Sequence, residues 1–142
     1  MKSNPVVVER VFPVSAREIW EALTENDKMT QWYFKLSEFK PEPGFEFRFY
    51  GGKDPEHPYH HICVITSVVP LKKISYTWRY HGYSGNSEVS FELFEEGENT
   101  RVRITHAGIE TLDPGNPDFE RENFNSGWNH ILNENLKDFL KA

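Results

Sequence analysis

His106 is the residue whose type and position could do chemistry. It closes the segment Thr100-Arg101-Val102-Arg103-Ile104-Thr105-His106. Strand alternation sets it with Val102 and Ile104 on an apolar face, with Arg101, Arg103 and Thr105 opposite. An imidazole there holds a ligand's polar head, moves a proton, or is simply satisfied by backbone or water. Asn135 raises the same question, because helical spacing places it between Ile131 and Phe139 in an apolar stripe. A buried amide must find partners, and pairing with backbone where the helix crosses a sheet is the simpler account. His57, His60 and His61 invite a metal reading, but neighbours in a strand point to opposite faces and no second ligand cluster accompanies them. Surface histidines and no metal are therefore expected. Cys63 lies in an apolar run, the setting of an inert core thiol. No G-x-S-x-G, phosphate-binding loop or dinucleotide fingerprint occurs, and no carboxylate pair falls on the apolar face. No catalytic residue and no cofactor is assigned.

The unusual bulk number is aromatic content, 15% of 142 residues, with 4 Trp, 6 Tyr and 11 Phe. Aromatic side chains line ligand pockets as well as cores. Trp32, Phe47, Tyr76, Trp78, Tyr80, Phe91, Phe124 and Trp128 are the candidate wall, with plain core packing as the alternative for each. Tyr76, Tyr80 and the tryptophans have polar tips that need satisfying, which favours them as pocket residues over the phenylalanines. Net charge is −6 and the basic residues are dispersed, so neither a nucleic-acid footprint nor a basic membrane-binding helix is present. No run is long enough to span a bilayer and none at the N-terminus reads as a signal peptide. One cysteine suits a reducing compartment, and a cytoplasmic location is expected.

The elements that must position these residues form one unit, residues 1–142, without repeat or linker. Val6 to Phe12 reads as a strand stopped by Pro13. Ser15 and Glu18 make an S-x-x-E cap for a short helix with Ile19, Trp20 and Leu23 inward, and a second short helix covers about Asp27 to Trp32. From Gly44 onward strands and turns follow. Phe45, Phe47 and Phe49 share a face, as do Ile74, Tyr76, Trp78 and Tyr80, and Val89, Phe91 and Leu93. The inward face of His60-His61-Ile62-Cys63-Val64-Ile65-Thr66-Ser67-Val68-Val69 is not assignable from its pattern. The last helix starts at Asn116-Pro117 or, alternatively, at Asn125 or Ser126, and runs to Leu140. An antiparallel meander with one apolar face needs a cover, and that helix is the element able to supply it.

Four motifs, in order and nearly end to end, resemble a known family. They are Pro13, Trp20, Leu23, Thr24, Trp32 and Tyr33; then Thr77-Trp78; then Thr105-His106-x-Gly108; then Gly127-Trp128 with Leu132. The pattern is similar to homologues of the activator of the ninety-kilodalton heat-shock chaperone's ATPase (its C-terminal domain), in the SRPBCC or START-like superfamily. The resemblance implies an α+β helix-grip fold: a curved antiparallel sheet wrapped around a long C-terminal helix, with two short helices after the first strand. It also implies a cavity between sheet and helix that often holds an apolar or lipid-like ligand. It fixes no single activity, since carriers, receptors, cyclases and co-chaperones share the fold. Where the family often has glycine and an acidic residue on the third strand, this chain has Cys63 and Ser67, which narrows the cavity and weakens proton chemistry. The chaperone activator's separate N-terminal domain has no counterpart here, which speaks against direct co-chaperone work.

The expectation is a non-enzymatic carrier or sensor of a small hydrophobic molecule. The alternatives are a chaperone-associated stress-response or protein-interaction module and, third, a cyclase- or hydratase-type enzyme using His106. The expected ligand-binding residues are Trp32, Phe47, Tyr76, Trp78, Tyr80, Phe91, His106, Phe124, Gly127, Trp128 and Ile131. Gly127 is included because an interior glycine costs a helix about 1 kcal/mol relative to alanine. Either it sits cheaply in a first turn, or its missing side chain leaves room for a ligand or a close sheet contact. The Gly-Trp motif of the resemblance favours the second.

Overall fold

Alternation in Val6-Val7-Val8-Glu9-Arg10-Val11-Phe12 buries Val6, Val8 and Phe12 and leaves Val7 and Val11 outward, which makes β1 (Val6–Phe12) a one-faced strand. The computed structural model describes residues 5–36, 38–52, 56–113 and 115–141. After β1 come helices α1 (Ala16–Thr24) and α2 (Asn26–Trp32). Strands β2 (Glu46–Gly51), β3 (Tyr59–Val69), β4 (Lys73–Tyr80), β5 (Ser87–Glu96) and β6 (Asn99–Ala107) follow. Short 3-10 turns at Ile109–Thr111 and Pro117–Phe119 lead into the C-terminal helix. That helix has three parts: α3 (Arg121–His130), a π-helical segment (Ile131–Leu136) and α4 (Lys137–Leu140).

The six strands form one antiparallel sheet in the order β1-β6-β5-β4-β3-β2. Its curved inner face carries Val102, Ile104 and His106 beside Val89, Phe91 and Leu93, then Ile74, Tyr76, Trp78 and Tyr80, all buried. The C-terminal helix lies in this concavity and adds Phe124, Trp128, Leu132 and Leu136 to the same core. Ser15 Oγ accepts from the Glu18 backbone N–H at 3.2 Å and so starts α1, whose Ile19 and Leu23 are buried. Trp20, expected inward with them, is only half-buried.

Two points left open by the sequence are resolved. On β3, His61, Cys63 and Ile65 face inward, opposite Tyr80 for His61 and Tyr76 for Ile65. A bulge between Ile65 and Ser67 then shifts the register. Ile62 is buried on the opposite face, so both parities of the run carry buried side chains. The bulge then breaks the alternation, and the pattern alone could not assign this face. The last helix begins neither at Pro117 nor at Ser126. Asn116 Oδ1 accepts from the Asp118 N–H at 2.9 Å and caps only a 3-10 turn. Glu120 is then extended (φ −73, ψ 148) and α3 starts at Arg121. Gly127 therefore lies inside a helix, not in its first turn.

Candidate functional site

His106 is completely buried and both of its nitrogens are engaged. Trp128 Nε1–H donates to His106 Nδ1 at 3.0 Å. Ser87 Oγ, 2.8 Å from His106 Nε2, spends its one proton on the Trp78 carbonyl at 2.7 Å. The serine must therefore accept, so Nε2 carries the ring's proton and the imidazole is neutral. Burial lowers its pKa to about 3. The chain of donors running from the helix through β6 and β5 to β4 ties the C-terminal helix to the sheet. Trp78 Nε1–H in turn donates to Tyr80 Oη at 2.8 Å.

A second buried polar pair lies further along the inner face. The hydroxyls of Tyr33, just after α2, and Tyr76, on β4, are 2.6 Å apart. Burial raises both pKa values well above the usual phenol value. Around this pair the rings close up: Phe47 against Tyr76 at 4.9 Å, Phe91 against Trp128 at 5.9 Å, Trp32 against Tyr33 at 5.1 Å. Trp32 Nε1–H is held by the Ala22 carbonyl at 2.8 Å. Seven of the expected site residues, Trp32, Phe47, Tyr76, Trp78, Phe91, His106 and Trp128, are thus brought together as a packed aromatic core.

The other four, Tyr80, Phe124, Gly127 and Ile131, line an open cleft of about 470 Å³ between the helix and the β2–β3 end of the sheet. Tyr33, Phe34, Tyr59 and Phe119 complete its aromatic lining, and His61, Asn123, Ser126, His130 and Asn135 supply polar groups. Phe119 stacks on Tyr80 at 4.4 Å, and Tyr59 donates to Asp118 Oδ2 at 2.6 Å, which fixes one end of the cleft. Phe34 and Phe119 escaped the sequence reading because they sit in irregular chain, where no periodicity marks an inward face. Tyr33 carried a signal, since it follows Trp32 in the resemblance, but was read only as part of that motif.

The helix serves core and cleft by two parallel rows. Phe124, Trp128, Leu132 and Leu136 are buried, while Asn123, Gly127, Ile131 and Asn135 face the cleft. Both rows step by four residues. An α-helix turns about 100° per residue, so such rows drift by about 40° per step and about 120° across three steps. The π segment has wider turns and takes back much of that drift. This corrects the reading of Asn135. It is half-buried on the cleft side, and its amide makes no hydrogen bond to another described residue. Gly127 is at the middle of the cleft row, and a Cβ there would meet nothing within 4 Å.

His61, set aside as a surface histidine, is 4% exposed and lines the cleft. Its ring stacks on Phe49 at 4.4 Å and lies 4.7 Å from Tyr80 and 4.8 Å from Trp78. Nδ1 lies 3.1 Å from the Tyr59 carbonyl and so donates to it. Burial lowers the pKa to about 4, against the carbonyls of Tyr59 and Phe49, which favour the protonated form. Cys63 is fully buried and its pKa is raised by burial, so the thiol stays protonated. Among the described residues no group of three His, Cys, Asp or Glu side chains could hold a metal ion. No described helix is long and apolar enough to cross a membrane.

A curved six-stranded antiparallel sheet gripping a long C-terminal helix, with two short helices after the first strand, is the helix-grip fold. Residues 13–141 match the family described as Activator of Hsp90 ATPase homolog 1-like protein, and the chain belongs to that family. Protein MLL2253 from Mesorhizobium loti is 27% identical, with a TM-score of 0.77 over 96% of both chains. The Mll3558 protein from Rhizobium loti is 18% identical, with a TM-score of 0.83 over 98% of this chain and 97% of that one. DynU16, a protein of the dynemicin biosynthetic locus, is 22% identical with a TM-score of 0.79. The match covers 99% of this chain, which spans about half (48%) of DynU16. No curated protein sequence matches the chain.

Proposed function

We propose that the protein is a non-enzymatic carrier or sensor for a small hydrophobic or lipid-like molecule, held between the sheet and the C-terminal helix. The observation that carries this is the helix row Asn123, Gly127, Ile131 and Asn135 facing a ring-lined cleft of about 470 Å³. A volume of this size suits a small organic molecule. A glycine at the centre of the row, with no side chain within reach of its missing Cβ, is helical stability forgone for space. The four expected residues on the cleft are the proposed contacts. The seven in the aromatic core form the wall behind them, and His106 acts there as a fastening. A cytoplasmic setting agrees with the free, buried Cys63 thiol. Native mass spectrometry of freshly purified protein, followed by NMR titration with lipids, sterols and planar aromatic compounds, tests the reading. We expect a co-purified small molecule or shifts at Gly127, Ile131 and Tyr80. The absence of both across all three ligand classes overturns it.

A second reading, a chaperone-associated or stress-response module, rests on family membership alone. Its test is the chaperone's ATPase rate with and without this protein; an unchanged rate and no complex removes it. An enzymatic role through His106 has less support, because both nitrogens are already committed to Trp128 and Ser87.

A further inference from the structure

We propose that His61 is the polar anchor of the cleft, and that the molecule it selects is flat, ring-shaped and carries a neutral O–H or N–H donor at its buried end. This rests on the small-molecule reading of the cleft and names what that site would recognise. With Nδ1–H given to the Tyr59 carbonyl, the ring's other nitrogen is a lone-pair acceptor. Among the described residues the ring's hydrogen-bonding neighbours are the Tyr59 and Phe49 carbonyls, which are acceptors and leave that lone pair without a donor. The sealed side-chain atoms left without a partner among the described residues are Asn26 Oδ1 and Glu110 Oε2. His61 Nε2 is not one of them, and the ring that carries it lines the cleft. The stacking on Phe49 and the edge contact with Trp78 fix the plane of the ring. The pKa of about 4 keeps that lone pair available at neutral pH.

Shape and charge narrow the class further. The aromatic rings of Phe34, Tyr80 and Phe119 in the lining favour a flat guest. A buried neutral imidazole rewards a donor and leaves a methylated or purely hydrocarbon analogue with an unpaired nitrogen beneath it. Asn135 lines the same cleft, and its amide, which bonds to no other described residue, is able to serve a second polar group on the ligand.

The test compares matched probe pairs, 2-naphthol against 2-methoxynaphthalene and indole against 1-methylindole, by NMR titration of the full chain and of His61→Phe. The donor-bearing member of at least one pair should bind the wild-type protein about tenfold more tightly, one neutral hydrogen bond gained without a desolvation penalty. His61→Phe should erase that preference while still binding the methylated probes. A preference for naphthol alone assigns an O–H source, for indole alone an N–H source. Equal binding within both pairs overturns the anchor and leaves the apolar cleft reading standing. If no probe binds, the anchor and its flat guest are overturned, while the small-molecule reading stands or falls on its own titration with lipids and sterols. A preference that survives in folded His61→Phe also overturns the assignment. Should that variant fail to fold, the 15N resonance of His61 Nε2 in the wild-type protein decides. It must move with a donor probe and not with its methylated partner, and a stationary resonance overturns the proposal.

Discussion

His106 and His61 look alike by burial and differ in completeness. Both face the concave side of the sheet, both lie among tryptophan and tyrosine rings, and burial lowers the pKa of each. His106 has its two nitrogens matched to an indole N–H and a serine oxygen, and the chain of donors ends on a backbone carbonyl. His61 has one nitrogen matched to the Tyr59 carbonyl, its ring lines the cleft, and we propose that the other nitrogen is the one a ligand completes. A buried polar group with every partner supplied by the protein specifies a packing. One left half-supplied marks where something else is meant to complete it. Strand alternation singled out His106, while the cleft is lined by His61, the residue we propose as its anchor.

The largest effect that could break this comparison is on stability. His106→Leu leaves the Trp128 indole N–H sealed without an acceptor and cuts the link between helix and sheet. We expect a loss of about 3 kcal/mol, an orphaned donor plus imperfect packing. His61→Leu removes one hydrogen bond to a carbonyl beside open space, and about 1 kcal/mol is expected. Urea unfolding followed by far-ultraviolet circular dichroism measures both. Equal losses would mean that the closed network does no more for the fold than the half-open one.

Acid sharpens the comparison next. Both folded values, about 3 and about 4, lie below the ordinary 6.5. The unfolded chain therefore binds more protons than the folded one once pH falls under about 6.5. Stability is full above that value and declines as pH drops toward the folded values, by about 1.4 kcal/mol per pH unit for each histidine at the steepest. Between pH 6 and 4.5, His61→Phe should lower the slope of unfolding free energy against pH by about half of the two-histidine total. Paired carboxylates act lower. The Arg103 guanidinium holds Glu9 below its usual 4.5, so its contribution is lost only beneath that range. An unchanged slope would show that His61 is not held neutral by burial.

Legibility followed the same division. Alternation in β4, β5 and β6 fixed which side chains enter the core, because a sheet with one covered face writes a period of two into its sequence. The motifs of the resemblance carried the order of elements and the cover of the sheet by the last helix. What stayed hidden depended on departures from a regular period. Burial of Ile62 beside it on the other face of β3 hid the inward face of His61, and the π segment hid the turning of Asn135 toward the cleft. Phe34 and Phe119 belong to irregular chain whose position only the folded core decides. His61 was misjudged because adjacent histidines in a strand look equally exposed until the partner strands are known; Tyr80 and Phe49 across from it settle which is inside.

Gly127 gives the smallest effect on stability and the most direct reading of the cleft. A helical glycine with open space at its Cβ has no steric reason to be glycine. In Gly127→Leu, helix propensity should raise stability by up to about 1 kcal/mol, and no backbone has to move. The new side chain projects between Asn123 and Ile131 into the cleft, so whatever the wild-type protein takes up should bind at least about tenfold more weakly. Fluorescence titration and thermal unfolding on the same sample separate the two consequences. A variant that gains stability and loses uptake identifies the glycine as space kept for a guest. One that gains stability and keeps uptake places the guest beyond this row of the helix, while one that loses stability means the open volume beside Gly127 is not as the fold describes it.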